Sequence, residues 1–326
     1  MLNTIWYRKG PLTWLLWPLS WLFSVIVRYR YRQYQQHPQR SYRSTLPVII
    51  VGNIGIGGNG KTPVVLALCH YLRTQGYTPA VISRGYGGQA VGPLAVNDDM
   101  DTSLCGDEPL LIRRRTGCPV VICRRRPQAV EFVQKGYPEC DVIIADDGMQ
   151  HYQLARDIEI CVVDAERQFG NCFCLPAGPL REPLSRLMSV DRIVANGGPI
   201  DHYDADVMAL TPDDWRYVGS GQLVESVSMP SHGVALAGIG HPPRFYQTLR
   251  QMGIGIDECI EIGDHGRLTH EQIQKYHDQI VLMTEKDALK YSHQAGPKWY
   301  YLPVSAQLPD AFYSSILQQL ERVYVA

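Results

Sequence analysis

A glycine-rich loop at residues 55–62 constrains this chain more than any other feature. Its sequence, Gly-Ile-Gly-Gly-Asn-Gly-Lys-Thr, fills every fixed position of the pattern GxxxxGK(S/T). The apolar run at 47–51 precedes it, so the order is buried strand, glycine loop and then helix. Glycines let successive backbone N–H groups converge on an anion, and the following helix adds the positive end of its dipole. The pattern therefore predicts a phosphate-binding loop rather than a turn that carries a lysine by chance.

The residues of this loop have distinct expected roles. Lys61 would reach the β and γ phosphates of a nucleotide, and the hydroxyl of Thr62 would hold Mg²⁺. Pro63 is compatible with the helix that follows, because a proline in the first turn gives up an N–H that has no intrahelical partner. The residues expected to bind the nucleotide are Gly55, Gly57, Gly58, Asn59, Gly60, Lys61 and Thr62.

Charge is unevenly distributed, although the formal net charge is only −1. Ten Lys or Arg residues precede the first acidic residue, Asp98, so residues 1–97 carry +10 and the remainder carries −11. A basic amino-terminal third predicts an anionic partner, either phosphate or a membrane surface. We do not expect nucleic-acid binding, because the basic residues flank an apolar run instead of forming a polar face. The nine cysteines include no CxxC pair, so neither a structural metal nor a disulfide framework is expected.

The amino-terminal segment 10–27 carries no charge and is rich in Trp and Leu. It barely reaches the length that spans a bilayer, and two prolines interrupt it. Arg28, Arg30 and Arg32 follow, alternating with tyrosines, and this composition favours anionic lipid headgroups. We predict that residues 1–32 form a membrane-associated helix, monotopic or peripheral, whose partners are membrane lipids. The alternative is a helix packed on the protein's own core.

Apolar runs alternate with helical stretches from residue 47 onward, which predicts an α/β fold with a mainly parallel sheet and helices on both faces. Strands are expected at 47–52, 79–83, 119–123, 141–146, 158–163 and 191–195, and helices at 62–75, 107–115 and 127–135. This P-loop kinase-like domain would span residues 33–207. A two-stranded connector is predicted at 208–230, followed by a smaller carboxy-terminal α/β domain at 231–326.

Two acids end the apolar strand at 141–146, as in a Walker B element. Asp146 is expected to hold Mg²⁺, and Asp147 to polarise a substrate hydroxyl or a water. Gln150 and His151 follow on the loop that leaves the strand, at the edge where open α/β sheets bind ligands. A surface acidic turn is the alternative, but the phosphate loop and the acid pair support each other.

Four further candidates carry weaker signals. Arg84 lies in a glycine-rich loop and could bind a phosphate, although the loop could also be simple turn chemistry. Asp107 could cap a helix or act as a catalytic base. Arg181 and Glu182 end a rigid loop at 175–183 that is either functional or a surface ion pair. His265 follows an aspartate that could fix its tautomer, but an Asp-His dipeptide is common.

Taken together, these segments resemble the tetraacyldisaccharide 4′-kinase family, the lipid A 4′-kinases of Gram-negative bacteria. The resemblance runs from the amino-terminal helix nearly to the end of the chain. The motifs that carry it are VGN at 51–53, GGNGKTP at 57–63, SRGYGG at 83–88, GDEP at 106–109, DDGMQH at 146–151, RD at 156–157, LPAGPLREP at 175–183, ALAGIG at 235–240 and MTEKDA at 283–288.

The resemblance implies an activity and assigns roles. The reaction would be transfer of the γ-phosphoryl group of ATP, with Mg²⁺, to the 4′-hydroxyl of an acylated glucosamine disaccharide 1-phosphate, at the cytoplasmic face of the inner membrane. The family's catalytic aspartate falls on Asp107 and its partner histidine on His265. Its magnesium and Walker B acids fall on Asp146 and Asp147. Its Arg-Glu loop falls on Arg181 and Glu182, and no protein partner is implied.

Two positions depart from the family pattern. The family usually has Asp-Arg after the third strand, whereas this chain has Arg125 and Arg126, so a polar contact there is expected to be lost or altered. Members often carry a second His or a bulky residue after the Asp-His pair, whereas Gly266 follows it here. The imidazole of His265 is itself retained.

A membrane-associated P-loop switch ATPase of the cell-division or partitioning type is the main rival. Such proteins also combine a glycine loop with a lipid-binding helix, but their loop characteristically carries a second lysine where this chain has Ile56. A GTPase is disfavoured, because the sequence at 284–287 has the residues of a guanine-recognition motif in the wrong spacing.

Overall fold

A computed structural model describes residues 6–225, 230–263 and 266–325. The predicted catalytic residue His265 lies outside the described residues. The helices are α1 (Pro11–Gln36), α2 (Lys61–Thr74), α3 (Thr102–Cys105), α4 (Asp107–Thr116), α5 (Arg126–Gly136), α6 (Pro242–Gln251), α7 (His270–Tyr276), α8 (Glu285–Ala288) and α9 (Asp310–Val325). The strands are β1 (Val48–Gly52), β2 (Pro79–Ser83), β3 (Leu94–Ala95), β4 (Val120–Ile122), β5 (Val142–Asp146), β6 (Ile158–Asp164), β7 (Arg192–Asn196), β8 (Asp206–Pro212), β9 (Arg216–Tyr217), β10 (His232–Ala237), β11 (Gly255–Glu261), β12 (Val281–Thr284), β13 (Trp299–Leu302) and β14 (Val304–Gln307).

The larger sheet has the strand order β14-β8-β7-β6-β1-β5-β2-β4-β3. All neighbouring strands from β8 to β4 run parallel, and only the edge strands β14 and β3 are antiparallel to their neighbours. Every residue of β1, β2, β5 and β6 is buried, as expected of parallel strands covered on both faces. The fold class predicted from the alternating pattern is confirmed.

Helices cover this sheet on its two faces, and each face has its own apolar core. One core contains the buried faces of α2, α4 and α9, including Leu68, Ile112 and Phe312. The other contains the buried face of α5, including Val130 and Val133. The central strand β1 contributes alternate residues to both cores, which fixes its register.

The smaller sheet has the strand order β11-β10-β12-β13-β9. Its four strands from β11 to β13 are parallel, and the short β9 pairs antiparallel with β13. Trp299 and Tyr291 are large side chains buried in the core on one face of this sheet. Strands and helices alternate along this part of the chain as β10, α6, β11, α7 and β12.

Sheet membership differs from the predicted division of the chain in two places. The segment predicted as a two-stranded connector supplies β8 to the larger sheet and β9 to the smaller sheet, so the two strands do not pair with each other. The predicted carboxy-terminal domain gives β14 and α9 back to the larger sheet and its core. Both differences arise because long-range strand pairing, which no local pattern encodes, decides where a segment belongs.

Helix α1 lies against the body along one side and exposes large apolar side chains on the other. The hydroxyl of Ser20 accepts a hydrogen bond from the backbone N–H of Ala177 at 2.8 Å, and Tyr31 packs on Tyr152. The exposed apolar residues are Leu12, Trp14, Leu15, Trp17, Leu19, Trp21, Leu22, Val25 and Ile26. Among the described residues, α1 is the one helix that is long and apolar enough to cross a membrane, by length and composition alone.

The core position of Phe312 predicts that the carboxy-terminal helix stabilises the larger domain. Phe312 is fully buried, so Phe312→Ala should lower the free energy of unfolding by about 3–5 kcal/mol. Ser314→Ala, at an exposed position of the same helix, should change it by less than about 0.5 kcal/mol. Urea denaturation followed by tryptophan fluorescence measures both, and equal effects would contradict the assignment of α9 to this core.

Candidate phosphoryl-transfer site

Polar side chains gather where the parallel strands of the larger sheet end. Ser83 ends β2, Asp146 ends β5, Asp164 ends β6 and Asn196 ends β7. The carboxyl ends of parallel strands meet at one edge of a sheet, so the glycine loop that follows β1 lies among these residues. The candidate site is therefore at the edge where ligands bind in open α/β sheets.

The glycine loop has the backbone that the pattern predicts. Gly60 adopts φ of 91° immediately before α2 begins at Lys61, a conformation that favours glycine. The side-chain amide of Asn196 donates a hydrogen bond to the carbonyl O of Asn59 at 3.2 Å. The helix therefore begins directly at the loop, where its free N–H groups and dipole can face an anion.

The two acids at the end of β5 have opposite electrostatic environments. Asp146 is 1% exposed, and burial, with the charges of Glu108 and Asp147, raises its pKa to about 7. Burial alone would also raise the pKa of Asp147, but the cations Lys61 and Arg181 more than offset it, so that pKa is lowered. Asp147 therefore stays ionised, whereas Asp146 changes its charge near neutral pH.

Asp147 lies between two cations. Lys61 Nζ is 3.4 Å from Asp147 Oδ1, and Arg181 Nη1 is 3.3 Å from Asp147 Oδ2. The phosphate loop, the acid pair and the 175–183 loop, which are far apart in sequence, therefore meet in one ion network. The structure thus brings together four of the residues predicted from sequence: Lys61, Asp146, Asp147 and Arg181.

The residues present fit a magnesium ion. Asp146 Oδ1 is buried and has no hydrogen-bond partner among the described residues, while Asp146 Oδ2 accepts a long hydrogen bond of 3.4 Å from Ser83. A single buried carboxylate oxygen suits Mg²⁺, which is usually held by one or two protein oxygens with phosphate and water supplying the rest.

Asp107 begins α4 and is almost fully buried. Its Oδ1 accepts a hydrogen bond of 3.2 Å from the backbone N–H of Glu108, but Gly106 occupies the N-cap and no side-chain capping hydrogen bond is described, so the capping alternative for Asp107 is wrong. Its Oδ2 faces the smaller domain, at 3.8 Å from Lys286 Nζ and 3.9 Å from Lys290 Nζ. The loop that carries Arg84 is joined to the turn before Asp107 by backbone hydrogen bonds at 89–90, and Arg84 itself is exposed.

Buried polar contacts hold the loop at 175–183 in place. Glu182 is 1% exposed, accepts a hydrogen bond of 2.9 Å from Gln150, and lies 2.9 Å from Arg186. Gln150 also donates to the carbonyl O of Asn53 at 2.8 Å. Glu182 and Gln150 therefore hold the loop against the end of β1, and a contact of these two residues with substrate stays a prediction.

His151 is neutral in this environment. Burial, together with nearby arginines that include Arg126, lowers its pKa to about 4, and its Nε2 has no hydrogen-bond partner within the described ranges. Arg126 is itself buried and donates to the carbonyl O of Asp146.

The first departure from the family pattern is at Arg125. This residue occupies the N-cap of α5 and makes no side-chain capping hydrogen bond that the structure describes.

Sequence reasoning missed the contacts made by Arg167. Its guanidinium donates to the carbonyl O of Gly58 and, at 3.3 Å, to Asn59 Oδ1, and it lies 3.5 Å from the carboxylate of Asp164. The available signal was its position three residues after the end of β6, the strand that neighbours β1.

The loop at 238–240 of the smaller domain also lies close to Gly58. A Cβ built on Gly240 would lie 2.5 Å from the Gly58 N.

Comparisons with known proteins agree with one another. A family model described as LpxK, tetraacyldisaccharide-1-P 4′-kinase, matches residues 12–321. A tetraacyldisaccharide 4′-kinase of Aeromonas hydrophila is 45% identical over 322 residues, which cover 98% of this chain and 96% of that protein. The protein of the same name from Vibrio cholerae is 45% identical over 331 residues, 99% and 97% of the two chains. A crystal structure of LpxK from Aquifex aeolicus in complex with ATP has a TM-score of 0.78 and 25% identity, covering 96% of this chain and 99% of that chain.

The raised pKa of Asp146 predicts a pH-dependent stability effect. Asp146 binds its proton near pH 7 in the folded protein and only near pH 4 in the unfolded chain. The free-energy penalty for its buried charge therefore grows from about pH 4 to pH 7 and is complete above pH 7. Asp146→Asn should therefore raise the melting temperature at pH 8 without divalent cations, by an amount that shrinks toward pH 4. Melting curves of both proteins across this range measure it. A variant that is less stable than wild type at pH 8 would contradict the prediction.

Proposed function

The chain belongs to the tetraacyldisaccharide-1-P 4′-kinase family, and we propose that its phosphate loop, its strand-end acids and Asp107 carry out the phosphoryl transfer. The reaction is ATP-dependent phosphorylation of the 4′-hydroxyl of a tetraacylated disaccharide 1-phosphate in lipid A biosynthesis. The main support for the proposed site is the single network that joins Lys61, Asp147 and Arg181 beside the buried carboxylate of Asp146. The switch ATPase is not favoured, because the match to the kinases covers nearly the whole chain.

Lys61 and the loop backbone would bind the triphosphate. The Lys61 side chain is 13% exposed and its ammonium is already held beside Asp147, so it would need little movement to contact a bound phosphate. Arg167 would keep the loop in shape through its contacts with Gly58 and Asn59. Arg84 is exposed beside the Asp107 turn and would bind a phosphate oxygen. These are the preorganised cations that phosphoryl transfer requires.

Thr62 and Asp146 would hold Mg²⁺. Thr62 lies in the first turn of α2, directly after Lys61, and Asp146 offers a buried oxygen without another partner among the described residues. The bound ion would neutralise charge on the nucleotide phosphates. Asp147, kept ionised by Lys61 and Arg181, would orient polar groups of the reactants.

The acceptor would enter between the strand ends and α4. Asp107 would accept the proton of the 4′-hydroxyl, with His265 as its predicted partner. Arg181 is partly exposed and would contact the acceptor, and the neutral imidazole of His151 has a free nitrogen among the described residues that could do the same. Glu182 and Gln150 would act indirectly by holding the loop that carries Arg181.

The exposed apolar side of α1 would hold the enzyme on the lipid that contains its substrate. Large apolar side chains and the following arginines fit the apolar and anionic layers of a bilayer surface. We place the enzyme at the cytoplasmic face of the inner membrane, where ATP is available, as a monotopic or peripheral protein. In this arrangement only the sugar hydroxyl needs to rise from the bilayer to the site.

The function predicts that ATP consumption depends on the acceptor. With γ-labelled ATP, Mg²⁺ and tetraacyldisaccharide 1-phosphate in detergent micelles, label should move to a lipid-soluble product that carries it at the 4′ position. Without the acceptor, phosphate release should fall to background. Steady ATP hydrolysis at the same rate without acceptor would instead indicate a switch ATPase.

The proposed roles of Asp107 and Lys61 predict different kinetic defects. Asp107→Asn removes the base and should lower kcat by about 10²–10⁴-fold while the Kd for ATP stays near that of wild type. Lys61→Met removes a phosphate ligand and should weaken ATP binding as well as turnover. Turnover under acceptor saturation and isothermal titration with a non-hydrolysable ATP analogue separate the two. Wild-type kcat in Asp107→Asn would show that another group is the base.

A further inference from the structure

Two lysines of the smaller domain reach the carboxylate of Asp107. Lys286 lies on α8, and Lys290 lies in the turn that follows it. Their ammonium nitrogens are 3.8 Å and 3.9 Å from Asp107 Oδ2. Both lysines lie about 180 residues from Asp107 in the sequence. The phosphate-loop motif and the acid-pair motif assign no role to this segment. Asp107 is therefore a buried carboxylate whose cations come from the other domain.

Lys290 is a buried lysine whose ammonium is held by hydrogen bonds. Its side chain is 2% exposed, and its ammonium donates to Asp287 Oδ1 at 2.9 Å and to the carbonyl O of Gly266 at 3.1 Å. Asp287 is itself fully buried and accepts hydrogen bonds from the backbone N–H of Gly238 and the hydroxyl of Thr284. A buried ammonium is tolerated only when it is paired and hydrogen-bonded in this way. The network fixes where its charge lies.

Lys286 is placed differently. Its ammonium donates to Glu108 Oε1 at 2.9 Å, and its side chain is 13% exposed. Glu108 follows Asp107 on α4, so Lys286 ties the first turn of that helix to the smaller domain. The two lysines are held near Asp107 by different acids. Asp287 pairs with Lys290, and Glu108 pairs with Lys286.

We propose that Lys286 and Lys290 are positioning residues that keep the Asp107 carboxylate ionised and oriented toward the acceptor. This inference rests on the proposed role of Asp107 as the base. Burial alone would favour the protonated acid, which cannot accept a proton, and two cations within 4 Å oppose that effect. Because both lysines belong to the smaller domain, Asp107 becomes a competent base only while that domain is docked against α4.

The other charged groups described near Asp107 do not supply the positive charge that the two lysines bring to its carboxylate. Among the described residues, Glu108 and Asp287 are acids and would favour the protonated form of Asp107. Arg267 pairs with Asp101, on the turn before α3, at 3.5 Å, and donates to the hydroxyl of Thr102. Among the residues that the structure describes, Lys286 and Lys290 supply the positive charge within 4 Å of the Asp107 carboxylate.

The test is the acid limb of the pH profile of kcat/KM for the acceptor, measured with the full-length enzyme. Lys286→Met should move this limb upward by about one pH unit, because a cation within 4–6 Å lowers the pKa of an acid by about 1–3 units. Lys286→Arg retains the charge and should leave the limb at its wild-type position. The KM for ATP should not change, because the described contacts of both lysines go to residues outside the phosphate loop.

Lys290→Met alone would leave Asp287 buried without its cation and could prevent folding. The double variant Asp287→Asn, Lys290→Met removes both charges and should move the acid limb in the same direction as Lys286→Met. Lys275→Met is the matched control, because Lys275 lies in the same domain and pairs with Glu258 at 3.8 Å, away from Asp107. It should leave the profile unchanged.

The outcomes separate this inference from the proposed function. If Asp107→Asn is inactive and the lysine variants lose rate equally at every pH, the lysines are merely structural and the inference is overturned. If the acid limb moves up in both lysine variants and stays in place in Lys286→Arg and Lys275→Met, the inference stands. If Asp107→Asn keeps wild-type activity, the base assignment fails, and the inference fails with it.

Discussion

The pairing of β1 with β5 is the constraint on which the rest of the site depends. Val51 lies opposite Asp146 in this parallel ladder, so the glycine loop leaves the sheet next to the acid pair. The register cannot shift, because both strands are buried on both faces and alternate residues of β1 enter different cores. A one-residue slip would exchange the two cores and separate the loop from the carboxylates. The geometry of the site is thus a consequence of apolar packing.

The charges of the site are balanced unevenly, and the imbalance fits the role proposed for Asp146. Asp147 and Asp107 each have two cations nearby, whereas Asp146 is buried with acids as its strongest charged neighbours. Its ionised form is therefore unfavourable until a cation arrives, which lowers stability and is consistent with its proposed role as a metal ligand. Such local destabilisation is expected at functional sites, where activity and stability conflict.

Much of this arrangement could be predicted from sequence, because local patterns encode it. The apolar strands, the glycine loop and the acids after residue 145 are contiguous signals, and the structure reproduces the elements that they predict. The membership of β8, β14 and α9 was not predictable in this way, because it depends on pairing between distant segments. Glu182 shows the same limit at the level of one residue. Its sequence suggests either a functional loop or a surface ion pair, and only the fold reveals that Glu182 is buried and paired with Arg186.

The smaller domain contacts the site at two places, and they act on different partners. At one, Gly240 approaches Gly58 so closely that any side chain at position 240 would strike the phosphate loop. At the other, Lys286 and Lys290 reach Asp107. One contact bears on the loop proposed to bind the donor and the other on the group proposed to activate the acceptor. A movement of this domain would change both together, so donor binding and acceptor activation would be coupled through rigid docking rather than through a chain of intervening residues.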